Sequence, residues 1–398
     1  MNLWSYRGAV LAACTLAFFA TMVARLAISP VVPAISDAFD VSNAAIGIAL
    51  TGMWLAYALT QFPSGLLGDR FGERTIILIA VAGTAGASAL LAVAPWYGAF
   101  LVCAVLLGGM AGLHYSAATS LLTRTIPQTG SAIGIHSAGA PLAGVLIPVA
   151  AGFVGAWLGW RYAVALGAIV ALPTALLVGY VVRPTPPVRP DTAIRSRIRL
   201  APIVELLARP PIAITAVLAL IGAFVWQATA SFLPTFLVAY HGYSEPLAGG
   251  LFSAYFVVQG LAQPGVGMLS DRVGREAAAL LASTVGVAGY SAFVWGSSLS
   301  VLIAATVAIG IAMSWGAALL PKFMDHLSAK ERGAGFGLIR TSYMVLGASG
   351  SAVTGIVADG AGWAAAFWML AGLMGAMGIV LSAMIIFRAQ KEATSPQR

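Results

Sequence analysis

The chain has 398 residues, 60% hydrophobic and only 9% charged, with a formal charge of +8 and a mean hydropathy of +0.93. A water-soluble domain carries roughly a quarter of its residues as charges, so the solvent facing most of this protein is lipid. Twelve spans of about 20 to 25 residues use up most of the chain and exclude a sizeable soluble domain.

In chain order, the first apolar stretch begins at Ala9 after a short amino-terminal segment. No small-residue cleavage pattern closes it, so a transmembrane helix is expected rather than a removed signal peptide. Apolar runs separated by polar or Gly/Pro-rich turns predict spans at 9–34, 43–66, 75–93, 98–122, 130–154 and 162–182. Six more are predicted at 211–239, 246–268, 277–297, 299–321, 334–357 and 363–387. Only helices satisfy the backbone in apolar segments of this length, so an all-α integral membrane protein with twelve transmembrane helices is expected. Cys14 and Cys103 both lie in apolar segments and support neither a disulfide framework nor a metal site.

Between the sixth and seventh spans lies a basic connector, 183–210, joining the halves 1–182 and 211–398. It carries Pro184, Pro186, Pro187, Pro190 and Pro202 with Arg183, Arg189, Arg195, Arg197, Arg199 and Arg209, and a short surface helix is expected near 203–208. Positive residues favour the cytoplasmic face. With the amino terminus inside, the connector arginines fall there, as do Arg7, Arg70, Arg74, Arg124, Arg272, Arg275, Lys322, Lys330, Arg332, Arg388, Lys391 and Arg398. Arg161 alone falls outside. Both termini are therefore expected in the cytoplasm of a plasma-membrane protein, and the positive charge is a topology signal rather than a nucleic-acid footprint.

The halves echo each other at an offset near 202 residues. After the second span stands Gly65-x-x-x-Asp69-Arg70-x-Gly72-x-Arg74; after the eighth stands Gly267-x-x-x-Asp271-Arg272-x-Gly274-Arg275. Gly130, Gly134 and Gly159-Trp160 pair similarly with Gly333, Gly337 and Gly362-Trp363. The doubled loop pattern resembles the signature of the major facilitator superfamily, and the resemblance covers the whole chain. It implies two pseudo-symmetric six-helix bundles and transport by alternating access. Gly65, Asp69, Arg70, Gly72, Arg74, Asp271 and Arg272 are then gating candidates, because an acid amid basic groups can hold one side shut and release it. The simpler reading is a topogenic turn.

All thirteen carboxylates fall in predicted loops or helix ends, so no acid is placed to carry a proton in mid-membrane. Arg25 lies 18 residues after Arg7 and 12 before Asp37, about 27 Å and 18 Å along a helix. Neither end is reachable, so this charge must face a cavity or a partner. The pattern Arg25-x₄-Pro30-x₂-Pro33 resembles the organophosphate antiporter and anion symporter branches, which implies that Arg25 binds an anionic substrate. Where the organophosphate exchangers carry a second arginine, this chain has Trp226. One cationic anchor facing an aromatic suits a monoanion with an apolar body, and a monocarboxylate-like substrate is expected. The simpler role is that Arg25 only organises helix contacts.

His114 and His136 are the histidines predicted within the membrane; each is either a structural hydrogen-bonding group or a site for substrate or proton. Tyr57, Gln227, Tyr255 and Gln259, with Gln61, Gln263 and Tyr115, are polar candidates for a cavity or for interhelical bonds. Arg340, about 10 Å into the eleventh helix, either snorkels or forms an inner gate with Asp69. The run Gly134-x₄-Gly139-Ala140-Pro141-x₂-Gly144 only loosely resembles the drug-exporter motif, and Val102 to Gly109 lacks the exporters' fourth-helix arginine.

The first expectation is thus a secondary transporter of a small organic anion, coupled to H⁺, Na⁺ or a counter-anion and surrounded by membrane lipid. The alternative is a proton-coupled efflux antiporter for lipophilic compounds. A sensor would need a soluble signalling domain, and Arg388 to Arg398 is too short for one. No hydrolase, nucleotide-binding or metal motif is present, so neither an enzyme nor a cofactor is expected.

Overall fold

The computed structural model describes residues 5–188, 190, 201–328 and 334–394. The connector arginines Arg189, Arg195, Arg197 and Arg199 lie outside the described residues, as do Lys330, Arg332, Arg398 and the glycine echo at Gly333.

The first half consists of α1 (Tyr6–Leu26), α2 (Val32–Phe39), α3 (Asn43–Phe71), α4 (Glu73–Ala92), α5 (Tyr97–Gly112), α6 (His114–Thr125), α7 (Thr129–Ser137), α8 (Gly139–Leu158) and α9 (Trp160–Val181). A short helix, α10 (Ala201–Leu207), follows, where the connector was expected to form one. The second half consists of α11 (Pro210–Ala239), α12 (Glu245–Val273), α13 (Arg275–Trp295), α14 (Leu299–Ala312), α15 (Trp315–His326), α16 (Ala334–Gly347) and α17 (Gly350–Thr394). Ten helical stretches among the described residues are long and apolar enough to cross a membrane. The last of them bends at Gly362, whose φ of 88° marks the turn between two spans. Separating those two and adding α12, 29 residues with charges only near its ends, accounts for the twelve spans. The protein is an all-helical, multi-pass membrane protein.

Several spans are broken, and the breaks follow the chemistry of the chain. A proline ring clashes with the carbonyl four residues back and donates no N–H to it. Accordingly α1 stops at Leu26, four residues before Pro30, and a 3₁₀ turn over Ser29–Val31 leads into α2. By the same rule α7 stops at Ser137, four residues before Pro141. The breaks at Leu113 and at Met313–Ser314 contain no proline. There, side chains from a neighbouring helix take the freed carbonyls: the Ser64 hydroxyl of α3 donates to Leu113 O, and the Gln259 amide of α12 donates to Met313 O at 3.0 Å.

Two compact units divide the chain. One comprises Met1–Leu200 with Ala228–Ser253 and Ser351–Ile356. Its apolar core gathers Val10 and Cys14 of α1, Ile77 and Val81 of α4, Leu122 of α6 and Val178 of α9. Gly108 lets α5 approach α3 so closely that a Cβ there would stand 1.9 Å from Met53 O. At the end away from the repeated loop motifs, this unit is stitched by long-range hydrogen bonds. Ala352 N–H donates to Thr51 Oγ1 at 2.9 Å, Val149 N–H to Ser253 Oγ at 3.2 Å, and the Ser231 and Ser351 hydroxyls meet at 2.6 Å.

The other unit comprises Ala201–Gln227, Ala254–Gly350 and Val357–Arg398. Within it, Tyr290 and Phe293 of α13 pack edge-on against Phe367 of α17, all three buried.

Candidate functional site

The first unit gathers a cluster of buried polar side chains beside its broken helices. Arg25, in the last turn of α1, is 1% exposed. Its Nε donates to Thr21 O at 3.1 Å, and Nη2 lies 2.9 Å from Met22 Sδ. The guanidinium carbon stands 3.8 Å from the ring centre of Tyr57 and 4.9 Å from that of Trp54, both on α3. Each such cation–π contact contributes about 0.5 to 2 kcal/mol, well short of the cost of burying an unpaired ion. Among the described residues no carboxylate pairs with Arg25, and Nη1 is buried with no hydrogen-bond partner. The guanidinium therefore has a standing demand for a negative charge or a strong acceptor.

Beside it, His114 opens α6 and His136 lies one residue from the end of α7, so each borders a helix break. Both are fully buried, with ring centres 5.4 Å apart. Phe18 of α1 packs on both rings, at 6.0 and 5.2 Å, and Tyr115 stacks on His136 at 5.5 Å. None of the four imidazole nitrogens has a hydrogen-bond partner among the described residues, nor does Gln61 Nε2. Buried polar atoms left unpaired cost about 1 to 3 kcal/mol each, which a structural role would not require. Among the described residues no three His, Cys, Asp or Glu side chains gather as metal ligands.

Thus Arg25, Tyr57, His114 and His136, chosen from sequence, stand together. Trp226, Gln227, Tyr255 and Gln259 belong to the other unit. There Trp226 is half-buried, Gln227 is 3% exposed and Tyr255 is fully buried. The Gln259 amide is engaged by Met313 O. Trp54, which shares Arg25 with Tyr57, was missed. Its signal was present in the sequence: Trp54 lies three residues before Tyr57, on the same helical face.

The loop motif also acquires specific partners. Gly72 ends α3 with φ 85°, and a Cβ there would stand 2.2 Å from Thr185 O. Asp69 O accepts from Val188 N–H at 2.9 Å. Arg74 donates to Val182 O at 2.6 Å and Gly179 O at 2.7 Å, holding the last carbonyls of α9. A Cβ at Gly65 would meet Ser116 only at an ordinary 3.8 Å, and Arg70 is exposed, lying over Phe71. In the second copy, Asp271 and Arg272 are exposed. Arg340 is half-buried on α16, in the unit that does not contain Asp69.

The ion pairs beside these loops were not anticipated. Glu73, buried at the start of α4, pairs with Arg124 of α6 at 2.6 Å. In the second half Glu276 of α13 pairs with Lys322 of α15, and Arg275 with Asp325 at 2.8 Å. An acid in the first turn after each glycine loop, favoured by the helix dipole, was the legible hint.

Comparison with known proteins agrees with this architecture. The Major Facilitator Superfamily description matches residues 14–252 and 220–398. A tetracenomycin C resistance and export protein of Streptomyces glaucescens is 33% identical over 38% of this chain and 28% of its own length. A hexuronate transporter of Bacillus subtilis is 25% identical over 38% of this chain and 37% of its own. A voltage-gated purine nucleotide uniporter of Homo sapiens is 29% identical over 32% and 30%. The chain thus spans about a third of the length of these curated relatives. A bacterial homologue of the human lysosomal transporter Spinster superposes with TM-score 0.76 at 21% identity, covering 96% of this chain and 95% of that one. A D-xylose–proton symporter superposes with TM-score 0.77 at 19% identity, covering 96% and 97%. With the doubled loop motif, the twelve spans and a family match over nearly its whole length, the chain belongs to the major facilitator superfamily.

Proposed function

We propose that this protein carries a small organic anion, monocarboxylate-like and with an apolar body, across the cytoplasmic membrane by alternating access. The observation that carries the reading is Arg25, buried, with one guanidinium nitrogen unsatisfied and two aromatic faces beside it. A carboxylate supplies the missing acceptor in a charge-assisted bond, while Trp54 and Tyr57 offer apolar surface to the rest of the molecule. Trp226, Gln227, Tyr255 and Gln259 of the other unit stay proposed as substrate-contacting groups on their side-chain chemistry alone. Relatives named for hexuronate and purine nucleotide transport, both anionic substrates, support the class. The glycine loops with Asp69, Asp271 and Arg340 act as cytoplasmic gates, and both termini face the cytoplasm in accord with the positive-inside rule.

A second reading, efflux of lipophilic compounds, is favoured by the relative named for tetracenomycin C export. Thermal stability of the purified protein separates the two, since a ligand that binds the folded state raises the melting temperature. Benzoate, neutral benzamide and tetraphenylphosphonium form the panel. Stabilisation by benzoate and not benzamide, lost in Arg25→Gln and partly kept in Arg25→Lys, is the expected result. Stabilisation by tetraphenylphosphonium that is indifferent to Arg25 overturns the anion reading in favour of efflux.

A further inference from the structure

We propose that His114 and His136 form one proton-binding site, holding a single proton between their imidazoles, and that this proton travels with the anion at Arg25. The coupling half of the proposal rests on the anion reading above; the proton site does not.

Among the described residues the buried charged side chains are Arg25, Glu73 and Lys322. Glu73 is held by Arg124 and Lys322 by Glu276, each at a helix end beside a loop motif. The buried carboxylate oxygens without a hydrogen-bond partner among the described residues are Glu73 Oε2 and Glu245 Oε2, and each stands at the first residue of its helix, α4 or α12, not within a span. The two buried imidazoles are the groups of a type that titrates near neutral pH.

Their arrangement suits the task. A neutral imidazole has one donor and one acceptor nitrogen. A proton arriving from water bonds the acceptor nitrogen of one ring, and the new N–H donates to the acceptor nitrogen of the other. Rings on separate helices at 5.4 Å between centres and 52° between planes can close to such a contact with small rotations. The added bond satisfies two of four nitrogens that now have no partner. A second proton would place two like charges in the same buried space, so the pair holds one.

The surroundings set when that proton binds. From α1 the pair meets the backbone of Cys14, which falls short of hydrogen-bond geometry, and the charge of Arg25, which acts on His114. α3 carries Tyr57, which faces Arg25, and Gln61, whose carbonyl accepts from Ser116 of α6 at 2.8 Å; from α6 itself comes Tyr115, whose ring stacks on His136 and whose hydroxyl lies 3.4 Å from Ser137 Oγ. The titratable groups of α4, Glu73 and Arg74, sit at its far end and are engaged there. The fixed charge of Arg25 opposes a second positive charge nearby until an anion neutralises it. Anion and proton therefore favour each other's binding, and the favour is reciprocal. A monoanion and a proton cross together with no net charge.

The test is a pH titration of the full-length protein labelled with ¹⁵N-histidine, with His241→Gln and His326→Gln removing the other two of the chain's four histidines. Over about pH 5 to 9, His114 and His136 are expected to take up one proton as a unit. In His114→Gln or His136→Gln the remaining ring loses that titration. Arg25→Gln moves the midpoint up by about one unit or more, and so does saturating benzoate on the unchanged Arg25. The proposal is overturned if both rings stay neutral throughout in the presence and absence of Arg25. It is equally overturned if each ring titrates unaltered when the other is replaced. Should either histidine variant fail to fold, the titration with both histidines in place still decides. A shared titration that responds to Arg25→Gln but not to benzoate keeps the proton site and sinks the anion reading.

Discussion

At Leu113 the first half breaks a helix and places His114 after the break; at Ser314 the second half breaks the matching helix and places Trp315 there. The backbone device is shared, down to a donor from the helix two spans earlier that takes the freed carbonyl. The side chains are not. At the repeat offset, Arg25 matches the neighbourhood of Trp226, Tyr57 matches Gln259, and His136, two residues after Gly134, matches Ile339, two after Gly337. One half gathers groups that carry or exchange charge, and the other presents aromatic and amide groups at corresponding places. The halves share what lets helices bend and pack closely, and differ in the side chains placed at those breaks.

The largest expected effect lies at Arg25. Arg25→Gln should weaken benzoate binding by about 100-fold, the scale of truncating one partner of a buried charge pair. Trp54→Leu, which removes an aromatic face beside the guanidinium, should weaken it by only about 3- to 10-fold, the scale of an aromatic contact. Isothermal titration of the two variants checks the ratio, and equal losses would show that the charge is not the anchor.

Packing comes next. A Cβ at Gly108 meets Met53 O at 1.9 Å, whereas at the matching Gly310 it meets Val258 Cβ at 2.7 Å and Tyr255 O at 3.0 Å. Both walls are fixed to the backbone but the overlap at Gly108 is deeper, so Gly108→Ala should cost about 2 to 3 kcal/mol and Gly310→Ala about 1 to 2. Thermal unfolding in detergent should rank them in that order.

The paired ions beside the loop motifs should separate less. Glu73 is fully buried but Arg124 is 47% exposed, so water screens the partner that remains. Glu73→Gln should destabilise by about 1 to 2 kcal/mol, below the range for a fully buried pair, and the loss should persist in moderate salt. Lys322→Met, which leaves a partly exposed Glu276 behind, should fall in the same range; a far larger loss would mark the second pair as the stronger lock.

Smallest of all are the two break-capping bonds. Ser64→Ala and Gln259→Ala each leave a helix carbonyl without its donor and should each cost about 1 kcal/mol. Unequal losses would show that the shared device has diverged as well.

Much was legible in the residues because the cost of placing them in lipid is local. The twelve spans, the doubled glycine loop and the absence of acids from mid-span follow from hydropathy and charge along the chain. So does the oddity of Arg25, since no neighbour within one helix can bring that charge to water. The tertiary structure alone decided whom these residues meet. That Arg25 lies on Tyr57 and Trp54 depends on which face of α3 turns toward α1. The imidazoles of His114 and His136, 22 positions apart in the chain, come within 5.4 Å only because two helix breaks point them at each other. Arg74 reaches the carbonyls of α9 because Gly72 turns the chain with a positive φ that other residues resist. Gln259 is likewise spoken for by a carbonyl that exists only where α14 breaks. Hydropathy acts one residue at a time, whereas contact is a property of two surfaces, and the second surface here comes from distant parts of the chain.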